Sequence, residues 1–88
     1  MTCMEFKYII IDRTKTVLFN HAIEHAYEAN GRYVTSAGFC RIGVDAVGQL
    51  FVECFGRSTS LGIDSNPGRD AVIIRKIAEE MFQMRMGG

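Results

Sequence analysis

The stretch RYVTSAGFCRIGVDAVGQLFVECF, Arg32 to Phe55, decides the fold. Its two ends, Arg32–Ile42 and Gln49–Phe55, are rich in aromatic and β-branched residues, which suit a pleated, half-buried surface. Between them GVDAVG supplies turn chemistry, with Gly43 and Gly48 at its ends. The pattern predicts a β-hairpin. Strand side chains alternate, so Leu50, Val52 and Cys54 share one face and Phe51, Glu53 and Phe55 the other. Apolar residues on both faces require cover on both. Two helices cover only one face well in so short a chain, which makes a subunit interface the natural cover for the other.

Upstream, FKYIIID (Phe6–Asp12) reads as a well-buried strand, RTKT as a polar turn, and VLFN as a second strand hairpinned to the first. Asn20 is placed to cap a helix over His21–Ala29, which Asn30-Gly31 stops in a left-handed conformation. Its small residues, Ala22, Ala26 and Ala29, are expected toward the core. His21, Glu24, His25 and Glu28 are expected toward solvent. Downstream, Gly56–Asp70 continues as strand and ends as a turn. Ser65 or Asn66 caps a last helix and Pro67 suits its first position. That helix is expected from about Gly68 to Met86, with Ile73, Ile74, Ile77, Ala78 and Met81 as its core stripe. The order is ββαββα. It predicts one α+β domain over residues 1–88, with two helices on an antiparallel sheet of two hairpins.

Composition narrows the function. The chain has 88 residues, ten basic and ten acidic, with formal net charge zero. A nucleic-acid binder draws affinity from neutralised phosphates, so this balance makes nucleic acid an unlikely partner, with Arg32, Arg41 and Arg57 the residues such a module would use. The longest early apolar run, Tyr8–Ile11, is too short to span a membrane. The three cysteines, Cys3, Cys40 and Cys54, are odd in number and form no C-x-x-C, which fits a reducing cytoplasm. Cys40 and Cys54 fall near one another across the hairpin and read as small buried hydrophobes.

Two motifs carry chemistry. HAIEH, His21 to His25, spells the H-x-x-E-H order of the inverted zinc peptidases. On a helix both imidazoles would face one metal ion, with Glu24 as general base. A catalytic zinc needs a third protein ligand, and no spacing recommends Glu53, Glu79 or Glu80 for that place. Solvation of a helix face is the preferred reading, and no metal or other cofactor is expected. The second motif lies between Gly56 and Asp70. A helix N-terminus offers free N–H donors, and Arg57, Ser58, Ser60, Ser65, Gly68 and Arg69 around it suit a phosphate or carboxylate. The competing reading is a polar edge strand whose hydroxyls bond backbone. The Met81, Phe82, Met84, Met86 tail offers an adaptable contact surface.

SAGFCRI (Ser36–Ile42) and CFGRSTSLGIDSNPGRD (Cys54–Asp70) resemble segments of short uncharacterised proteins of tailed phages and prophages. The matching residues are Ser36, Ala37, Gly38 and Phe39, then Phe55, Gly56, Ser58, Ser60, Leu61, Gly62, Ser65, Pro67 and Asp70; Val17-Leu18-Phe19 fits the same pattern. Asn66 and Gly68 depart from it at the start of the last helix. The resemblance implies a small accessory product acting in the cytoplasm of a bacterial host. Such products often act by binding, including binding of host defence components. The expectation is a non-enzymatic, homodimeric binding protein that takes a host protein or a small anionic ligand. The alternative is a metal-dependent hydrolase built on His21, His25 and Glu24.

Overall fold

The hairpin at Arg32–Phe55 forms. Strand β3 (Val34–Val44) runs antiparallel to β4 (Leu50–Phe55), with Cys40 directly opposite Cys54. Asp45 shapes the turn: its Oδ1 accepts the amides of Val47 at 3.0 Å and Gln49 at 2.9 Å. Gly48 takes φ +83, a conformation that glycine adopts at little cost. The computed structural model describes the backbone of residues 2–87 and the side chains of residues 3–81.

Strands β1 (Thr2–Ile11) and β2 (Lys15–Phe19) make the other hairpin, and β1 also pairs antiparallel with β3. The sheet order is β2-β1-β3-β4. β1 starts four residues before the expected Phe6. The reason is non-local: Thr2 to Glu5 lie opposite Val44 to Arg41, so pairing extends a strand that local sequence marks weakly. The β1–β2 turn puts Asp12 at φ +52 and Arg13 at φ +65. Two successive positive φ values make a type I′ turn, which suits the right-handed twist of a hairpin.

Helix α2 (Pro67–Gly87) packs on one face of the sheet. Its Ile74 and Ala78 join Tyr8, Ile10, Cys40, Ile42 and Cys54 in one apolar cluster. Pro67 occupies the first helical position, where its missing N–H costs nothing. Met81, expected in the core stripe, is exposed instead. Burial is concentrated on Ile74 and Ala78, one turn apart, and Met81 lies beyond them. The side chains of Phe82, Met84 and Met86, read as a contact surface, lie outside the described residues.

The other face, for which a subunit interface was the natural expected cover, is covered by the chain itself over part of its area. Helix α1 (His25–Ala29) and a small hairpin, β5 (Arg57–Ser58) with β6 (Ile63–Asp64), lie over it. Ile9, Phe19, Ala29, Val34 and Ala37 form a second cluster there, with Leu61 and Ile63 packed against it. The segment from Gly56 thus folds back over the sheet instead of extending β4. Gly56 permits the break, at φ +77.

The first helix is shorter than expected and turned differently. Asn20 accepts the amide of Ala22 at 2.8 Å through Oδ1, and its carbonyl accepts Ile23 at 3.0 Å. It therefore holds a turn, and the helix begins only at His25. Ala22 and Ala26 are exposed, while His25 and Ala29 face inward. The stop is as expected, with Asn30 left-handed at φ +47.

Candidate functional site

The polar residues of the two resembling segments converge on one region, and they meet one another. Asp70, at the start of α2, is fully buried. Its Oδ2 accepts the Tyr8 hydroxyl at 2.5 Å and the Asn66 amide at 2.8 Å. Its Oδ1 accepts the Ser36 hydroxyl at 2.8 Å. The Asp70 amide in turn donates to the Asn66 carbonyl at 2.8 Å. The carboxylate thus caps its own helix and ties it to β1 and β3. Burial first, and the bond to Asp70 second, push the Tyr8 phenol above its ordinary range, so it stays a donor.

Gly38, the third residue of Ser36-Ala37-Gly38-Phe39, marks a close backbone approach. A Cβ there would stand 2.6 Å from the Phe55 carbonyl oxygen and 3.0 Å from Ser65 Cβ. The Gly38 carbonyl accepts His25 Nε2 at 2.9 Å. A carbonyl only accepts, so the imidazole proton sits on Nε2. His25 stands edge-on to Phe19 and Phe39, with centroids 5.5 Å and 5.7 Å away. Burial lowers its pKa, outweighing the carbonyl bond that would raise it. His25 was expected on the solvent side of a helix; it is a core residue. His21 is exposed in the turn before the helix, so HAIEH does not present two imidazoles on one helical face. Among the described residues no cluster of three or more histidine, cysteine, aspartate or glutamate side chains is placed to hold a metal ion.

The serine hydroxyls between Gly56 and Asp70 are engaged within the chain. Ser58 is buried; its Oγ accepts the Leu61 amide at 3.1 Å and lies 3.3 Å from Ser60 Oγ. Ser60 Oγ accepts the Ala26 amide at 3.2 Å, which supplies α1 with a cap from a distant loop. Ser65 Oγ donates to the Gly56 carbonyl at 2.6 Å. Arg57 pairs with Asp64 at 3.4 Å across the small hairpin. Gly68 and Arg69 remain exposed on the first turn of α2. The structure therefore brings Ser60 to α1 with Ser58 beside it, holds Ser65 on Gly56, and leaves Gly68 and Arg69 at the start of α2, where Asp70 already meets the positive end of the dipole.

The arginines considered for nucleic acid have internal partners as well. Arg32 donates to the carbonyls of Ala29 at 3.0 Å and Glu28 at 2.7 Å, closing the C-terminus of α1. Arg41 bridges Glu5 at 3.2 Å and Glu53 at 3.1 Å and lies 4.8 Å over the Phe55 ring. That ladder fills the part of the second sheet face that α1 does not reach.

The Tyr8–Asp70–Ser36 cluster was missed in the sequence. The spacing of Asn66 and Asp70 around Pro67 carries half the signal, since a residue four after a cap reaches back to it. The other half, a lone tyrosine in an apolar strand, asks for a buried acceptor. Among the described residues no helix is long and apolar enough to cross a membrane. Comparison with protein-family models, with curated proteins and with solved structures gave no match.

Proposed function

We propose that this chain is a binding protein without catalytic machinery, which self-associates through the outer edge of β4. One observation supports this best. The side chains that suggested chemistry, His25, Asp70, Ser58, Ser60 and Ser65, are engaged in holding the fold together. The edge of the sheet is what remains open. β4 is the last strand of the sheet order, and its residues Leu50, Phe51, Val52 and Phe55 are half-buried. Arg75 donates to the Leu50 carbonyl at 3.2 Å at the start of this edge; beyond it, with Glu53 as its one charge, the strand is a template for another. A second copy fits that template. Asp45 donates its amide to Gln49 O at 2.9 Å, which sets the alternation along the hairpin and turns the N–H and C=O groups of Leu50, Val52 and Cys54 outward. A two-fold pairing centred on Val52 sets Phe51 opposite the partner's Glu53 and keeps the two Glu53 carboxylates apart.

The resemblance to short tailed-phage proteins gives this binding module a bacterial cytoplasm and a host protein, such as a defence component, as its partner. An anionic ligand between Gly56 and Asp70 is a second reading, favoured by the exposure of Gly68 and Arg69 at the start of α2. Sedimentation velocity at micromolar concentration tests the leading one. The expected result is a dimer for the native chain and a folded monomer for Phe51→Glu, whose charge would face the partner's Glu53 in the shared sheet. A native monomer across that range would overturn self-association.

A further inference from the structure

A second open feature lies at the far side of α2. The β1–β2 turn and the helix enclose a groove of about 300 Å³ lined by Arg13, Thr14, Val72, Ile73, Lys76 and Ile77. Its chemistry is divided. Val72, Ile73 and Ile77 are an apolar wall, and Val72 is 62% exposed. Arg13 and Lys76 bring two positive charges, and neither side chain is bonded to a described residue, as is also true of Lys15 and Arg69, whereas Arg41, Arg57 and Arg75 form ion pairs. Arg13 also holds a position where arginine is disfavoured. At φ +65 it takes the second central place of a type I′ turn, where glycine is the usual residue and a side chain is disfavoured. Its amide is anchored to Thr35 Oγ1 at 3.0 Å, which fixes the turn against β3.

We propose that this groove binds a small amphiphilic anion, a phosphate or carboxylate head on Arg13 and Lys76 with a short apolar body along Val72, Ile73 and Ile77. Unpaired cations beside a partly exposed apolar wall fit such a molecule, because the two charges and the outer surface of Val72 and Ile77 have open sides, while Ile73 is packed against the core beneath them. The groove is open to solvent, and its volume of about 300 Å³ suits a ligand of roughly ten heavy atoms at about 30 Å³ each. A six-carbon chain carrying a phosphate has that size. The site is on the opposite strand turn from the β4 edge and stands or falls independently of self-association.

Amide NMR titration with hexyl phosphate tests it, with inorganic phosphate and hexanol as separate arms. Hexyl phosphate is expected to shift the amides of Arg13, Thr14 and Val72 to Ile77 saturably. Each half alone is expected to bind at least about tenfold more weakly, a difference of about 1.4 kcal/mol. Arg13→Gly and Lys76→Gln should each weaken hexyl phosphate by a similar factor. Arg13→Gly also keeps the turn, so its thermal midpoint should equal or exceed that of the native chain. Absence of saturation overturns the proposal, as do shifts centred on Ser58 to Arg69, equal binding of inorganic phosphate, or unchanged affinity in both variants. Co-sedimentation with anionic lipid vesicles that hexyl phosphate does not displace would overturn it in favour of a membrane surface.

Discussion

The Tyr8 hydroxyl donates to Asp70 Oδ2 across 2.5 Å, joining the first strand to the last helix over 62 positions of sequence. Ser36 and the Asn66 amide complete the same carboxylate's coordination. Asp70→Ala would leave two buried hydroxyls and the part-buried Asn66 amide without an acceptor, at about 1–3 kcal/mol for each that stays dry. The expected loss in urea unfolding is therefore about 3 kcal/mol or more. Tyr8→Phe should lose less, about 1–2 kcal/mol, because Asp70 keeps its other donors. The double variant should fall short of the sum, since both changes break one bond. Additive losses would mean that the two residues act separately.

His25 gives a pH dependence of known sign. Its pKa is lowered in the folded chain, chiefly by burial, so the unfolded chain takes up the proton first as pH falls. Stability from the neutral imidazole is complete above the unfolded value of about 6.5 and is lost as pH drops through the lower folded value. Urea midpoints measured from pH 7 downward should decline, and His25→Gln should flatten that decline while keeping a donor for the Gly38 carbonyl. A native chain whose midpoint rises on acidification over this range would contradict the assignment.

The three thiols should differ in reactivity. Cys3 is exposed, while Cys40 and Cys54 are buried opposite one another. Burial pushes Cys40 up to about 12, with Cys54 beside it adding to the effect, and burial and the Asp70 carboxylate push Cys54 up to about 11. The thiolate is the nucleophile, so both inner cysteines should be inert at neutral pH. Iodoacetamide labelling followed by mass spectrometry should show one fast adduct, at Cys3, and two that wait for unfolding. Fast labelling of Cys40 or Cys54 would show that this part of the core opens.

Gly38→Ala should be among the most damaging small substitutions. The added methyl would meet the Phe55 carbonyl oxygen, which is backbone and held in the sheet. Overpacking of this kind costs about 1–3 kcal/mol, and the strand shift that relieves it would also disturb the carbonyl bonded to His25. A thermal midpoint within a degree or two of the native chain would show that β4 yields easily.

The sequence carried the sheet well and the first helix poorly. Both hairpins were legible because alternation and turn residues are local signals, as in Leu50–Phe55 and in Asp45 with Gly48. The α1 region misled because its inward residue is a histidine. His25 is apolar in its packing, between Phe19 and Phe39, yet its one-letter pattern reads as polar. Once His25 is placed inside, Ala29 follows at the same face and Ala22 and Ala26 turn outward. Gly56 to Asp70 reads in the sequence as continued strand and turn, not as a cover on the sheet, because its partners are Ala26, Gly38 and Tyr8, all distant in sequence. Ser60 looked like a ligand donor for the same reason that it makes a good cap: a short hydroxyl beside a helix start.

Self-association through β4 is tested most directly by amide hydrogen exchange along that strand as a function of protein concentration. The amides of Leu50, Val52 and Cys54, which face away from β3, should gain protection together as concentration rises. Those of Phe51, Glu53 and Phe55, already bonded within the hairpin, should be protected at every concentration. Fast exchange at Leu50, Val52 and Cys54 that stays the same at all concentrations would contradict the shared sheet.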